Sequence, residues 1–313
     1  MCRVIRRSHK RRLLFALPRE FAREFDDLLQ AWDEGAVRVT VLPYVGSPKD
    51  VAASIDGMHD VDAVLLAGNS RFAPATVLPG PFLMACDGRR VPAAWLPLAN
   101  AGVARRFAAT AARVHHRVGQ RAAIAVLAQW HPRYLRLADR IEQLLQPRST
   151  TFRWTADVIG RHEVVNALGS GLGLGLYVGH GRAMGWVGYH GMRAHHFDSG
   201  EREPLGALIS LCCRTASRRR VGMSYAERLT TNGVAAASFG AVGDTLHMDN
   251  TRWAVGLCDA LATGVETVGE LIARGAPPSP DAYAAYRLIG DPCAPLVTDY
   301  RAVRRAAAVP TYP

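Results

Sequence analysis

Along this chain, short wholly apolar blocks alternate with stretches whose apolar residues recur every three or four positions. The first pattern predicts strands buried on both faces, and the second predicts amphipathic helices. In order, the sequence predicts a strand over 12–17, a helix over 19–32, a strand over 37–42, a helix over 48–55 and a strand over 63–66. The Pro- and Gly-rich stretch 68–97 predicts a loop. Helix returns over 101–116, followed by a strand over 122–127 and a helix over 132–145 that Pro147 ends. A strand over 150–155 and a helix over 161–168 then lead into a glycine-rich region. There the pattern predicts strands over 172–178, 207–213 and 234–239, helices over 223–229, 251–273 and 280–288, and an irregular tail. Strand and helix in strict turn imply a largely parallel sheet with helices on both faces. A boundary near residue 148 divides the chain into an N-terminal α/β lobe, 1–148, and a second lobe, 149–313, that carries the chemistry. With no flexible linker between them, the two could equally be halves of one sheet.

Composition narrows the class. In a chain of 313 residues, 49% are apolar and 21% charged, which suits a globular protein with a sizeable core. The net charge of +11 comes from arginine, with runs at 3–12 and 218–220, but no basic stretch interleaves with aromatics able to stack bases. Nucleic acid is therefore not an expected partner. No segment is long and apolar enough to span a membrane, and the apolar stretch 13–17 is too short for a signal peptide. Six cysteines, Cys2, Cys86, Cys212, Cys213, Cys258 and Cys293, show no zinc spacing and predict free thiols in a reducing, cytoplasmic setting. Neither a metal nor a cofactor is expected. The glycine run 169–181 precedes its strand, where a phosphate loop would follow one. His190, His195, His196 and Asp198 lack the spacing of a metal site.

Two apolar strands each deliver a reactive residue at the C-terminal end, where open parallel sheets place their sites. One closes as LGLYVGHG on His180, the other as GALISLCC on Cys213. A thiol paired with an imidazole that titrates near neutrality can perform acyl transfer. Glycine after the histidine leaves its amide open to a substrate carbonyl, so the N–H groups of Gly181 and Cys213 are expected to form the oxyanion hole. Cys212 alternates to the other side of the strand and is expected to be core.

These segments resemble the cysteine peptidases that include caspases, legumains, separases and gingipains. GHGRAMGW, with Trp186 six residues after His180, and CRTASRRRVGMSYAERL after the cysteine are most similar to the gingipain family, and GVAAASFGAV resembles its next strand. LISLCCRTAS also resembles the caspase-like CHAT domains. The resemblance implies a three-layer α/β/α sandwich of the caspase and gingipain type. It also implies a cysteine endopeptidase acting through a thioester, on a protein or peptide substrate. By the same resemblance the chain would serve a bacterial proteolytic or cell-death cascade, with an activating protease or regulatory partner. The rival reading is a caspase-like scaffold that keeps the cleft for a binding partner.

Around the dyad, Trp186, Arg182, Arg214, Ser238, Phe239 and Asp249 are the candidates for contacting substrate. Asp157, Asp244 and Asp249 could select a basic side chain before the scissile bond, whereas Arg182 and Arg214 could select an acidic one. For Trp186 packing against its own loop is the first reading, and substrate contact the second.

Overall fold

The structure is a computed structural model, and it describes residues 10–55, 60–121, 123–198, 202–277 and 279–310. Cys2, Ala122 and the arginines before Lys10 lie outside the described residues. An eleven-stranded sheet runs through the molecule. Its strands in chain order are β1 (Arg11–Pro18), β2 (Val37–Tyr44), β3 (Ala63–Asn69), β4 (Phe82–Met84), β5 (Arg90–Leu98) and β6 (Ile124–Ala128). They continue with β7 (Thr151–Arg153), β8 (Leu174–Val178), β9 (Leu205–Leu211), β10 (Ala235–Ala241) and β11 (Tyr286–Gly290). The order across the sheet is β2-β1-β3-β5-β11-β10-β9-β8-β6-β7, with β4 on the flank of β5. Pairing is parallel across β2-β1-β3-β5 and across β10-β9-β8-β6-β7. β11 runs antiparallel to β10, and β4 antiparallel to β5. Strands from either side of residue 148 thus share one sheet, β6 lying between β8 and β7.

The helices that cover it follow from the sequence. α1 (Asp26–Glu34), α2 (Pro48–Ile55), α3 (Ala101–His115), α4 (Pro132–Leu145), α5 (Arg161–Leu168) and α6 (Tyr225–Thr231) come first. α7 (His247–Ala262), α8 (Val268–Gly275) and α9 (Tyr300–Ala307) complete the set used below. α4 buries Tyr134, Leu137, Ala138, Ile141 and Leu145, a spacing of three and four that puts one stripe on the sheet. α6 begins on a capping box in which Ser224 and Glu227 satisfy each other's backbone amides.

Three expectations need correction. Inside the predicted loop 68–97 lies β5, which pairs with β3 and carries fully buried Ala93, Ala94, Trp95 and Leu96. Pro92 and Pro97 suggested a break, yet each sits at a pairing position within the ladder. The predicted helix 251–273 is two, α7 and α8, because Gly264 turns the chain with a φ of +87° and Thr267 caps a new start. The predicted helix 280–288 stops at Ala284, and its apolar end becomes β11.

Candidate active site

Val178 of β8 pairs with Leu211 of β9, so both chains leave the sheet side by side. His180 and Cys213 each lie two residues beyond that pair. A Cβ built on Gly181 would stand 2.4 Å from the Cys213 carbonyl oxygen and 2.5 Å from the Cys212 sulfur. No side chain fits there, so glycine is required for the two loops to touch. Arg218, in the chain that follows Cys213, donates to the Ser70 carbonyl just past β3. The ends of β3 and β9 therefore lie at one edge of the sheet.

His180 is pinned at both backbone groups. Its N–H donates to Gln129 Oε1 at 2.8 Å, and its carbonyl accepts from the Tyr177 hydroxyl at 3.1 Å and from the Val187 amide at 2.9 Å. Its Nε2 lies 3.3 Å from the Tyr134 hydroxyl, with the rings edge to face at 5.4 Å. Partial desolvation first, then the nearby Arg133 and His131, lowers the imidazole pKa from its ordinary value. His247 stands on the far side of Tyr134, ring centroids 5.6 Å apart. Its pKa is lowered by burial, then Arg133, then His180.

The Cys213 thiol is half-buried and engages one residue. Thr245 donates its amide N–H to Sγ at 3.4 Å, while its carbonyl oxygen and hydroxyl lie at 3.7 and 3.6 Å. Asn250 donates to the Thr245 hydroxyl at 3.1 Å and accepts from the Tyr286 hydroxyl. A polar chain thus links β11 to the sulfur. Cys212 faces the other way into the core with Tyr177, Trp186 and Tyr225, and burial pushes its thiol pKa far up. It cannot supply a thiolate.

The candidate substrate contacts divide. Arg182 is exposed, two residues after His180. Arg214, whose φ of 62° is left-handed, pairs with Asp244, so these two charges offset each other. Asp249 is largely buried in the first turn of α7, 3.6 Å from Arg252. Asp157 acts on the buried Tyr189 instead. Trp186 must be corrected as a substrate contact. It is 0% exposed, stacks on Tyr177 at 4.2 Å and donates to the Ser210 hydroxyl at 2.9 Å. Ser238 and Phe239 are likewise core, each 1% exposed, and Phe239 stacks on Tyr286 at 4.9 Å. The reason is length: β10 runs on to Ala241, so the open end of that strand begins at Val242 and not at Phe239.

Sequence reasoning missed Gln129, Tyr134, Thr245 and His247. Gln129 and Tyr134 follow β6, whose end lies next to that of β8, so the same strand-end rule points to them once β6 is placed. The segments after β6, β8 and β10, including the first turn of α7, also carry Trp130, Met184, Leu246 and Met248, large apolar side chains left exposed. Clustered exposure of this kind marks a binding surface.

The sequence profile of peptidase family C25 matches residues 109–297, more than half of the chain. No curated protein sequence matches it. Among solved structures, the Arg-specific cysteine proteinase gingipain R aligns over 92% of this chain and 79% of its own, with a TM-score of 0.74 at 15% identity. The complex of Porphyromonas gingivalis RgpB pro- and mature domains aligns over 93% and 80%, with a TM-score of 0.74 at 16% identity. The Saccharomyces cerevisiae separase in its securin complex aligns over 74% of this chain but 16% of its own, with a TM-score of 0.51 at 13% identity. The structural likenesses show the fold, the mostly parallel α/β architecture expected from the sequence. The profile match settles the lineage: this chain belongs to peptidase family C25 and is a cysteine-type endopeptidase.

Proposed function

We propose that Cys213 is the nucleophile and His180 the general acid–base of peptide-bond hydrolysis. The observation that carries this is the contact between the two strand ends, where Gly181 packs against the Cys213 carbonyl. In the proposed reaction the Cys213 sulfur attacks the scissile carbonyl and forms a thioester, and the carbonyl oxygen receives the N–H groups of Gly181 and Cys213. His180 takes up the thiol proton and delivers it to the leaving amine. It then removes a proton from the water that opens the thioester. A depressed imidazole pKa supports the first step, because the neutral ring is the form able to accept a proton.

Asp249 is the acidic group we assign to substrate selection. Its neighbour Asn250 reaches the thiol through Thr245; of the three candidate carboxylates Asp157 lies at Tyr189, Asp244 is paired to Arg214 across two loops, and Asp249 meets only Arg252 of its own helix at 3.6 Å. A basic residue before the scissile bond is the matching substrate feature, and the exposed Trp130, Met184, Leu246 and Met248 supply apolar contact to the flanking chain. Cys212, Cys213, Cys258 and Cys293 are free thiols, which supports a cytoplasmic setting. A place in a bacterial proteolytic or cell-death cascade, with an activating protease, is proposed on the family resemblance alone.

The test is a positional-scanning fluorogenic peptide library assayed on wild type, Cys213→Ala and His180→Ala. Cleavage confined to wild type, with Arg or Lys preferred, is the expected result. Cleavage that survives in Cys213→Ala rules the assignment out. Selective thiol labelling of Cys213 without any cleavage would instead favour the scaffold reading.

A further inference from the structure

Away from the dyad, between α5 and the turn Ala194–Phe197, lies an open cavity of about 640 Å³. Arg161, His162, Asn166, His195, His196 and Arg202 line it, and among the described residues no carboxylate does. The hydrogen bonding here is incomplete in a specific way. The Arg193 backbone N–H donates to His196 Nδ1 at 2.9 Å. A ring that accepts at Nδ1 carries its proton on Nε2, so Nε2 is a donor. What it meets, at 3.4 Å, is Arg161 Nη1, which is also only a donor. Two donors converge with nothing between them to accept. Arg202 Nη1 is buried and has no acceptor either. His195 packs edge to face on His196 at 4.3 Å, adding a second imidazole.

We propose that this cavity binds the phosphoryl group of a small anion, with its oxygens held by Arg161 Nη1, His196 Nε2 and the Arg202 guanidinium. Donors from three separate segments suit a tetrahedral anion with several oxygens better than a planar carboxylate with two. The volume falls within the usual range for small-molecule sites. A metal ion does not fit donors of this kind, and among the described residues the three histidines of the lining, like every other group of His, Cys, Asp and Glu, are not gathered so as to hold one.

The site is wired to the dyad. Arg161 also donates to the carbonyl of Tyr189 at 3.2 Å and to that of His190. Both residues hold left-handed backbones, with φ of 56° and 55°, which non-glycine residues adopt only when held. Gly188, next to them, donates to the Tyr177 hydroxyl, which in turn donates to the His180 carbonyl. Drawing Arg161 toward an anion therefore reaches His180 through three bonds. That consequence rests on the proposed dyad, whereas the binding itself does not.

Isothermal titration calorimetry of the full chain with inorganic pyrophosphate tests the site without any activity readout. Saturable binding is expected, with one anion per chain, weakened about tenfold or more in Arg161→Gln and in Arg202→Gln. Arg202 holds none of the loop carbonyls, so its variant keeps the fold even if Arg161→Gln does not, and thermal melting checks this. Adenosine triphosphate binding as tightly as pyrophosphate assigns the site to the phosphoryl group alone, and tighter binding extends the ligand to a nucleotide. Absence of saturable binding overturns the proposal, as does binding that Arg202→Gln leaves unchanged, since the overall positive charge would then account for it.

Discussion

The two strand ends that meet at the proposed active site are held very differently. His180 is fixed by Gln129 just past β6, Tyr177 of β8, Tyr134 of α4 and Val187 of its own loop. Cys213 has Thr245 for its sulfur and a left-handed Arg214 immediately behind it. The imidazole is thus positioned by packed regular structure, the thiol by one connection between β10 and α7. This difference teaches that the histidine is preorganised, while alignment of the sulfur depends on the Val242–Leu246 turn. Substitutions on the two sides should therefore fail in different ways.

The largest expected effect removes the sulfur. Cys213→Ala should lower kcat by about 10³-fold or more, toward the uncatalysed rate, because loss of a nucleophile disables the catalytic unit as a whole. The melting temperature should stay near wild type, since the side chain is half-buried and small. A fluorogenic peptide assay beside calorimetric melting checks both. On the histidine side the corresponding structural loss is Trp186→Ala. That change removes a fully buried ring stacked on Tyr177 and should cost about 3–5 kcal/mol. Denaturant unfolding measures it, and a cost below about 1 kcal/mol would show that the Tyr177–Trp186 stack does not hold the His180 strand end.

Acidity offers a third way to separate the ends. His180, His196 and His247 all have folded pKa values below the ordinary 6.5, each chiefly through burial. A depressed histidine binds fewer protons folded than unfolded, so its contribution to stability is full above the unfolded pKa and is lost as pH falls below it. Melting temperature should drop below about pH 6.5. The acid limb of kcat/KM should follow His180 alone, at a pH lower than an ordinary imidazole. Arg133→Gln removes a positive charge that disfavours the imidazolium, so this limb should move to higher pH. Tyr134→Phe should lower kcat by up to about tenfold through the lost contact at Nε2. A pH–rate profile of the three proteins reads all of this, and an unmoved limb in Arg133→Gln would detach His180 from the chemistry.

The same contrast explains what was legible in the sequence. The strand-end positions of His180 and Cys213 could be read because β8 and β9 are almost wholly apolar runs and each residue stands two positions past the end of its strand. Trp186 could not be placed from spacing, since a ring six residues beyond the histidine can face the cleft or the core. Its stacking on Tyr177 decides for the core. Ser238 and Phe239 were misjudged by two residues of strand, enough to put the true rim at Val242–Leu246. β5 was hidden because Pro92 and Pro97 mimic a break, although a strand buried on both faces needs only a continuous apolar run. Tyr134 sits on a helix face whose periodicity reads as core, and it is indeed buried. Only the three-dimensional neighbourhood shows that its hydroxyl end reaches His180.

The smallest effect is the one that tests the thiol side most directly. Thr245→Val keeps the side-chain shape and the backbone amide bond to Sγ but removes the hydroxyl that joins the sulfur to Asn250 and, through it, to Tyr286. A neutral hydrogen bond of this kind contributes about 0.5–1.5 kcal/mol, so kcat/KM should fall by about two- to tenfold with no shift of the His180 limb. The rate at which a thiol reagent labels Cys213 should change in the same variant, while the melting temperature moves little. If Thr245→Val shifted the acid limb as Arg133→Gln does, the two strand ends would be one coupled unit. The separation drawn from their different supports would then fail, because the sulfur and the imidazole would be titrating together and not merely meeting at the substrate.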